Sequence, residues 1–263
     1  MGISVKVYGK VNLALNIQGV QADGYHILDT VMTNVSCCDE VFATKRQDKT
    51  VNVTYKKGEN FKNDIALRAG IAAVETYGVN GADIYITKGI PEAAGLGGSS
   101  ACAAGVVKCM EELYGFKADM GFLLSLGSDV PYMYGGGFKR VRGIGGQISN
   151  IDANPPKIVV VCDNRLQVNT AKCYKLYDLI GGGHILIDDF LLGFKNPKNS
   201  LERAATQIDA RIAELKNLIY EAGFANVVLS GSGGALIAWD GDETALERLN
   251  GRLEGLNTVK IFN

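Results

Sequence analysis

Four groups of residues in this chain have types and spacings that could do chemistry. The first is a glycine-rich run, Pro91-Glu92-Ala93-Ala94-Gly95-Leu96-Gly97-Gly98-Ser99-Ser100. Ahead of it, Ala82–Thr87 alternates apolar and polar residues as a strand does; after it, Ala101–Leu113 is apolar nearly all round, as a buried helix is. Glycines between a strand and a helix let successive backbone N–H groups turn toward one point, where the helix dipole favours an anion. Two readings fit: a phosphate cradle, or a tight packing turn with Ser99 or Ser100 as the N-cap. The run is no Walker A loop, because no lysine precedes the serines, and its G-x-G-G pattern is not the dinucleotide fingerprint.

The second group is Lys10 and Asn12, which fall on the same face of an alternating segment whose other face holds Val11, Leu13, Leu15 and Ile17. They are either a solvated surface pair or the lining of a cleft beneath the glycine run. The third is Asp23-Gly24-Tyr25-His26. Asp-Gly signals a tight turn, and the ring and imidazole after it are either an aromatic hairpin tip or a platform for a planar ligand. The fourth is Asp129, in Gly127-Ser128-Asp129-Val130-Pro131-Tyr132. The pattern puts it at the C-terminus of a helix and ahead of an apolar strand, Val130–Tyr134. A carboxylate there meets the unfavourable end of the dipole. It is either an ordinary turn residue or one held by a metal or a lysine.

The elements that must position these groups follow from periodicity. Ser4–Ile17 reads as strand, broken near Gly9, and Ile27–Tyr55 is strand-rich. Asn63-Asp64 caps a helix over Ile65–Tyr77, and Asp119–Leu126 is a short helix. Asn154-Pro155-Pro156 is a linker, dividing the chain into 1–153 and 154–263. Beyond it the pattern predicts β-α-α-β-β-α-β: Lys157–Cys162, helices over Thr170–Leu179 and Leu201–Ala222, then strands flanking Gly231-Ser232-Gly233-Gly234, a helix over Glu243–Leu253 and a strand over Thr258–Phe262. This is an α+β architecture.

Composition narrows the function. The 263 residues, 47% of them hydrophobic, suffice for one large domain or two small ones. A net charge of −1 gives no basic footprint for nucleic acid. No apolar run reaches membrane-spanning length, and Met1–Lys6 reads as strand rather than signal peptide. Cys37, Cys38, Cys102, Cys109, Cys162 and Cys173 form no C-x-x-C pair and, with only His26 and His184 as imidazoles, make no zinc set. The expectation is buried free thiols in a reducing, cytoplasmic setting.

Three motifs in order, Lys10-Val11-Asn12-Leu13, Pro91–Ser100 and Ser230-Gly231-Ser232-Gly233-Gly234-Ala235, resemble those of the GHMP kinases, and they span most of the chain. Ala22-Asp23-Gly24-Tyr25-His26, Gly127–Pro131, Arg142-Gly143-Ile144-Gly145 and Asn199-Ser200-Leu201-Glu202 resemble the isoprenoid-pathway branch of that family, which acts on a cytidine diphosphate alcohol. The phosphate loop departs from that branch: two glycines precede Ser99-Ser100-Ala101-Cys102, closer to other GHMP kinases. The resemblance implies a two-domain GHMP kinase fold, with an N-terminal domain like ribosomal protein S5 domain 2 and a C-terminal ferredoxin-like α/β sandwich. It implies ATP and Mg2+ as cofactors. Lys10 and Asp129 would be catalytic and lie side by side. Lys88, Pro91, Ala94, Gly95, Leu96, Gly97, Gly98, Ser99 and Ser100 would bind ATP, with Ser99 or Ser100 meeting the magnesium. Asn12, Tyr25, His26, Tyr174, Gly231, Ser232 and Gly233 would bind the substrate, Tyr25 stacking on the cytosine, His26 reading its edge and Tyr174 closing the stack. The expected partners are small molecules only, with no nucleic acid and no membrane, and the protein is expected to be a monomer or weak homodimer. Two rival readings are a GHMP kinase for homoserine, mevalonate or a sugar, and a catalytically silent nucleotide-binding protein.

Overall fold

The structure is a computed structural model; it describes residues 2–58, 64–92, 94–163, 165–166, 168–254 and 258–262. The elements in order are β1 (Gly2–Val20), β2 (His26–Lys45), β3 (Asn52–Tyr55), α1 (Ile65–Tyr77), β4 (Ala82–Thr87), α2 (Gly98–Tyr114), α3 (Met120–Leu126), α4 (Val130–Gly135), β5 (Lys139–Gly143) and β6 (Gln147–Asn150). Then come β7 (Val159–Asp163), α5 (Thr170–Ile180), α6 (Ile187–Leu191), α7 (Glu202–Ile208), α8 (Arg211–Glu221), β8 (Phe224–Leu229), β9 (Ala235–Gly241), α9 (Ala245–Arg252) and β10 (Thr258–Phe262).

The chain divides into two compact units. The first holds Met1–Gly9, Cys37–Pro91 and Gly97–Gly136; the second holds Lys10–Ser36, Glu92–Leu96 and Gly137–Asn263. In the first, β3 runs parallel to β4, and β4 pairs antiparallel with Glu40–Lys45 of β2. Helices α1 and α2 pack on each other here, and both bury small residues, Ala66, Ala69, Gly70 and Ala73 on α1 and Ala101, Ala103, Ala104 and Gly105 on α2. A Cβ on Gly105 would stand 2.5 Å from a methyl of Val41, so the helix lies as close to the sheet as a glycine allows.

In the second unit, Leu28–Met32 of β2 pairs antiparallel with β5, and β5 with β6. A separate sheet has the order β10-β7-β9-β8, antiparallel throughout. That is the strand order of a ferredoxin-like sandwich, as expected. Its strand β7 is fully buried, and Leu15 and Ile17 of β1 join Val161, Leu201, Ile212, Leu215, Ile219, Val227 and Leu236 in one hydrophobic core.

Four expectations from periodicity are corrected. Strand β1 runs unbroken through Gly9, which is buried within it. Val130–Tyr134 is not a strand but most of α4. Pro131 falls at the start of that helix, where its missing N–H costs nothing and its fixed φ favours the first turn; the alternation of Val130, Tyr132 and Tyr134 concealed this. Asp129 therefore stands at the N-terminal end of a helix, not at a C-terminal one. Leu201–Ala222 is two helices, α7 and α8, because Asp209 turns extended (φ −143°, ψ 104°) and its carboxylate accepts from the Arg211 amide at 3.1 Å, a local bond that competes with helix continuation. With α6 also present, four helices rather than two lie between β7 and β8 among the described residues. The expected cap at Asp64 holds, its carboxylate accepting from Ala66 N at 2.8 Å, while Asn63 lies outside the described residues; Asp119, read as the first residue of its helix, is instead the cap of α3 and accepts from Phe122 N at 2.8 Å.

Candidate active site

In the second unit, three stretches far apart in sequence meet at Lys10 and at one another. Lys10 points from β1 with only 5% of its surface exposed, and its Nζ donates to Asn12 Oδ1 at 2.9 Å. Its backbone N–H donates to the carbonyl of Leu96 at 2.9 Å, which ties the glycine-rich run to β1. Gly95 lies against the second glycine turn: a Cβ on it would stand 2.6 Å from the carbonyl oxygen of Gly233 and 3.3 Å from that of Ser230. A Cβ on Gly231 would stand 3.7 Å from Lys10 Nζ and 3.5 Å from Asn12 Oδ1. The structure thus brings together Lys10, Asn12, Gly95, Leu96, Gly231 and Gly233.

The second turn is held by residues that motif reading did not single out as site residues. Asn199 donates through Nδ2 to the carbonyls of Leu229 (2.8 Å) and Gly231 (2.7 Å), gripping both arms of the turn. Its Oδ1 accepts from Leu201 N at 2.9 Å, so the amide is fully used. Leu15 holds the neighbouring residues, accepting from Ser200 N at 2.9 Å and donating to the Lys198 carbonyl at 3.0 Å. Ser230 is fully buried and its Oγ accepts from the backbone N–H of Asn12 at 3.1 Å. Ser232 turns outward to share a hydrogen bond of 2.9 Å with Thr170 at the start of α5.

The Asp-Gly turn sits in the same unit. Gly24 adopts φ +86°, and Gln21 N donates to Tyr25 O at 2.8 Å, closing the hairpin between β1 and β2. Tyr25 is 61% exposed, a ring offered to solvent at the tip. His26 is the opposite: its side chain is 11% exposed and Nε2 lies 2.7 Å from Asp178 Oδ1 on α5. Tyr174 packs on the imidazole at 4.6 Å between centroids, and Tyr177 meets it edge-on at 6.1 Å. Tyr174, Tyr177 and Asp178 share one face of α5 because they are three and four residues apart. No motif announced Asp178; the spacing from Tyr174 on a helical pattern was the available signal.

The first unit carries the other half of the glycine run. Gly97 caps α2 in the left-handed region at φ +78°, so neither Ser99 nor Ser100 is the N-cap. The helical ladder begins with Ala101 N donating to Gly97 O at 2.9 Å, which leaves the amides of Gly98, Ser99 and Ser100 ahead of the first helical bond. Those three N–H groups, with two hydroxyls in the same turn, have the character of an anion site. The run enters this turn from Pro91, and its approach is fixed by Asp39, fully buried in β2. One carboxylate oxygen of Asp39 accepts from Gly89 N at 2.9 Å and Ile90 N at 3.0 Å; the other pairs with Lys88 Nζ. Lys88 also reaches Gly98 O at 3.4 Å and Cys102 Sγ at 3.3 Å. Burial opposes the Lys88 charge, but the sulfur and the carboxylate beside it reverse the sign and hold its pKa above the ordinary lysine value. Burial pushes the Cys102 thiol up to about 12. The cysteines are free, as expected, with Cys37 and Cys38 half-buried and the other four buried.

Asp129 also lies in the first unit. It opens α4 with helical dihedrals (φ −86°, ψ −12°), and its carbonyl accepts from Met133 N at 2.9 Å. Burial, and then the Asp129 carboxylate, raise the pKa of the enclosed Tyr132 phenol. Lys10 and Asp129 thus belong to different units. Among the described residues no group of three or more His, Cys, Asp or Glu side chains could hold a metal, and no helix is long and apolar enough to cross a membrane.

Comparison with known proteins gives a consistent answer. Residues 64–137 match the model of the GHMP kinases N terminal domain. A 4-diphosphocytidyl-2-C-methyl-D-erythritol kinase of Clostridium beijerinckii is 32% identical over 252 residues, covering 90% of each chain. One of Geobacter metallireducens is 34% identical over 245 residues, covering 88% of this chain and 86% of its own. A crystal structure of 4-(cytidine 5'-diphospho)-2C-methyl-D-erythritol kinase superposes with a TM-score of 0.80 at 27% identity, over 99% of this chain and 98% of that one.

Proposed function

The chain belongs to the 4-diphosphocytidyl-2-C-methyl-D-erythritol kinases of the GHMP kinase fold, and from that membership we propose that it transfers the γ-phosphoryl group of ATP to the 2-hydroxyl of 4-diphosphocytidyl-2-C-methyl-D-erythritol, a step of non-mevalonate isoprenoid biosynthesis. The observation that carries the reading is the assembly of two glycine turns with Lys10: Leu96 bonds the Lys10 backbone, Gly95 abuts Gly233, and Gly231 lies beside the Lys10 ammonium. A nearly buried cation beside two glycine turns suits a phosphoryl group in flight.

The roles follow from the family resemblance, and residue chemistry is consistent with them. Residues 1–153 form the N-terminal GHMP kinase domain, carrying the loop and both catalytic groups, and 154–263 the C-terminal one. Pro91, Ala94, Gly95, Leu96, Gly97, Gly98, Ser99 and Ser100 form the nucleotide loop, their amides meeting phosphate oxygens, and Lys88 flanks it. The substrate oxygen bonds to the γ-phosphorus as the bond to the β–γ bridging oxygen breaks and ADP leaves. Asp129 takes the proton from the attacking hydroxyl, and Lys10 steadies the charge on the transferring group. Asn12, Gly231, Ser232 and Gly233 line the acceptor. Tyr25 stacks on the cytosine, and His26, braced by Asp178 and Tyr174, reads its edge.

A magnesium ion fits the donor set. With no carboxylate–imidazole cluster among the described residues, the ligands on offer are the hydroxyls of Ser99 and Ser100 beside nucleotide phosphates, the hard oxygens magnesium prefers. Either serine would hold it, and when bound it neutralises charge on the β- and γ-oxygens. The same reading has the enzyme working in the cytoplasm on soluble substrates, as a monomer or weak homodimer.

The test is a coupled assay of ADP release with ATP and a panel of alcohols: the diphosphocytidyl substrate, homoserine, mevalonate and galactose. Turnover confined to the diphosphocytidyl compound supports the proposal. Faster turnover of another alcohol reassigns the acceptor, and ATP binding without turnover of any makes the protein a silent nucleotide binder.

A further inference from the structure

Thr30 sits in β2 with no exposed surface, beside the pair Lys10–Asn12. Its hydroxyl donates to the carbonyl oxygen of Ala14 at 2.7 Å. A carbonyl only accepts, so the single proton of Thr30 is committed there. Its oxygen then has only lone pairs to offer, and it accepts from Asn12 Nδ2 at 2.9 Å. An amide has one donor end and one acceptor end. With Nδ2 spent on Thr30, Oδ1 is turned the other way, and that atom receives Lys10 Nζ at 2.9 Å. The chain of bonds therefore has one polarity, dictated from a backbone carbonyl of β1. Reversed, the amide would set its NH2 against an ammonium, donor to donor, at a place almost closed to water, where such a conflict is costly.

We propose that Thr30 is a positioning residue for phosphoryl transfer: acting through the Asn12 amide, it fixes the acceptor against which the Lys10 ammonium is aimed. The inference rests on the catalytic role proposed for Lys10 and adds a residue that, being fully enclosed, meets neither ATP nor the acceptor. The bond from Lys10 to Asn12 is charge-assisted, and a misaimed cation loses the part of its effect that exists only in the transition state. The loss is therefore one of kcat rather than of KM for ATP.

The experiment compares Thr30→Val, Thr30→Ser and Lys10→Met with the parent enzyme in steady-state kinetics on ATP and the diphosphocytidyl alcohol, with thermal melting alongside. Valine keeps the shape and removes the hydroxyl; serine keeps the hydroxyl and removes the methyl. The expected result is a kcat lowered roughly ten- to hundredfold in Thr30→Val, the scale of a small misplacement, with KM for ATP unchanged, kcat recovered in Thr30→Ser, and no turnover in Lys10→Met. An inactive Lys10→Met beside a Thr30→Val with parental kcat overturns the positioning role alone. An active Lys10→Met removes the catalytic assignment of Lys10 and the positioning role with it. A Thr30→Ser as slow as Thr30→Val assigns the defect to lost packing and overturns the proposal. Should Thr30→Val not fold, Thr30→Ala takes its place against Thr30→Ser and is judged by the same comparison.

Discussion

Gly95 and Gly233 touch backbone to backbone: the carbonyl oxygen of Gly233 stands 2.6 Å from where a Cβ on Gly95 would be. Gly95 also holds φ +73°, a conformation that costs an L-residue about 1 kcal/mol or more. Two glycine turns more than a hundred residues apart in the sequence are therefore fitted to each other, and the proposed nucleotide loop takes its course partly from the C-terminal turn. Gly95→Ala must push the turns apart, since the atom it meets is backbone and cannot rotate away. The expected outcome is a rise of about tenfold or more in KM for ATP, with kcat reduced as well. Gly78→Ala is the control: it shares the positive φ (+66°) but meets nothing within 4 Å, so it loses about 1 kcal/mol of stability and leaves KM unchanged. Equal kinetic behaviour of the two variants would show that the close approach has no bearing on nucleotide binding.

Asp129→Asn removes the proposed base while keeping its shape. Proton abstraction by a placed side chain is worth about 10²–10⁴-fold, so kcat falls by that order and the affinity for ATP, measured by calorimetry, stays. A variant with near-normal kcat would take the base role away from Asp129. Its side chain makes no capping bond to α4, so the amide replacement leaves the start of that helix uncapped as before.

Much of this was legible in the sequence, and the part that was not has identifiable causes. The glycine run, the Asp23-Gly24 turn and the cap at Asp64 depend on residues adjacent in the chain, where local conformation decides the outcome. The misread segments are those where two local signals compete: alternation against Pro131 at a helix start, and helical periodicity against the Asp209 side-chain bond. The supporting residues were out of reach for another reason. Asp178 is 152 residues from His26, Asn199 is 32 from Gly231, and Asp39 is 49 from Lys88. A carboxylate or amide that braces a distant partner has no spacing of its own to read. Thr30 is 18 residues from Asn12 and looks like any β-branched strand residue until the strands are paired.

His26 and Asp178 make a graded prediction. The imidazole is held on one side by Asp178 at 2.7 Å and on its face by Tyr174 at 4.6 Å. His26→Ala removes the proposed base-reading group and raises KM for the diphosphocytidyl substrate about tenfold or more, with KM for ATP unchanged, as loss of uniform binding does. Asp178→Ala leaves the ring in place but frees it to turn, and raises the same KM by less. Because Asp178 is 47% exposed, its charge is screened and its loss costs little stability. An unchanged KM in His26→Ala would remove the cytidine argument. An Asp178→Ala effect confined to melting temperature would reduce that contact to a structural one.

Asp39 and Lys88 predict a stability effect that two substitutions undo. Asp39 is fully buried, accepts from Gly89 N and Ile90 N, and pairs with a Lys88 whose side chain is 11% exposed. Breaking one partner of such a pair leaves the other charge enclosed without compensation and costs about 3–5 kcal/mol, whereas replacing both by neutral groups of similar volume is close to neutral. Asp39→Asn alone should therefore lower the denaturant midpoint sharply. Asp39→Asn combined with Lys88→Met should recover much of the loss, since methionine fills the lysine stem without bringing a charge. Asparagine keeps the one oxygen that accepts from Gly89 N and Ile90 N, without its charge, but the double variant lacks the Lys88 ammonium that flanks the loop, so it should regain stability more fully than it regains KM for ATP. A double variant no more stable than the single one would mean that the carboxylate acts through Gly89 and Ile90 rather than through its charge on Lys88.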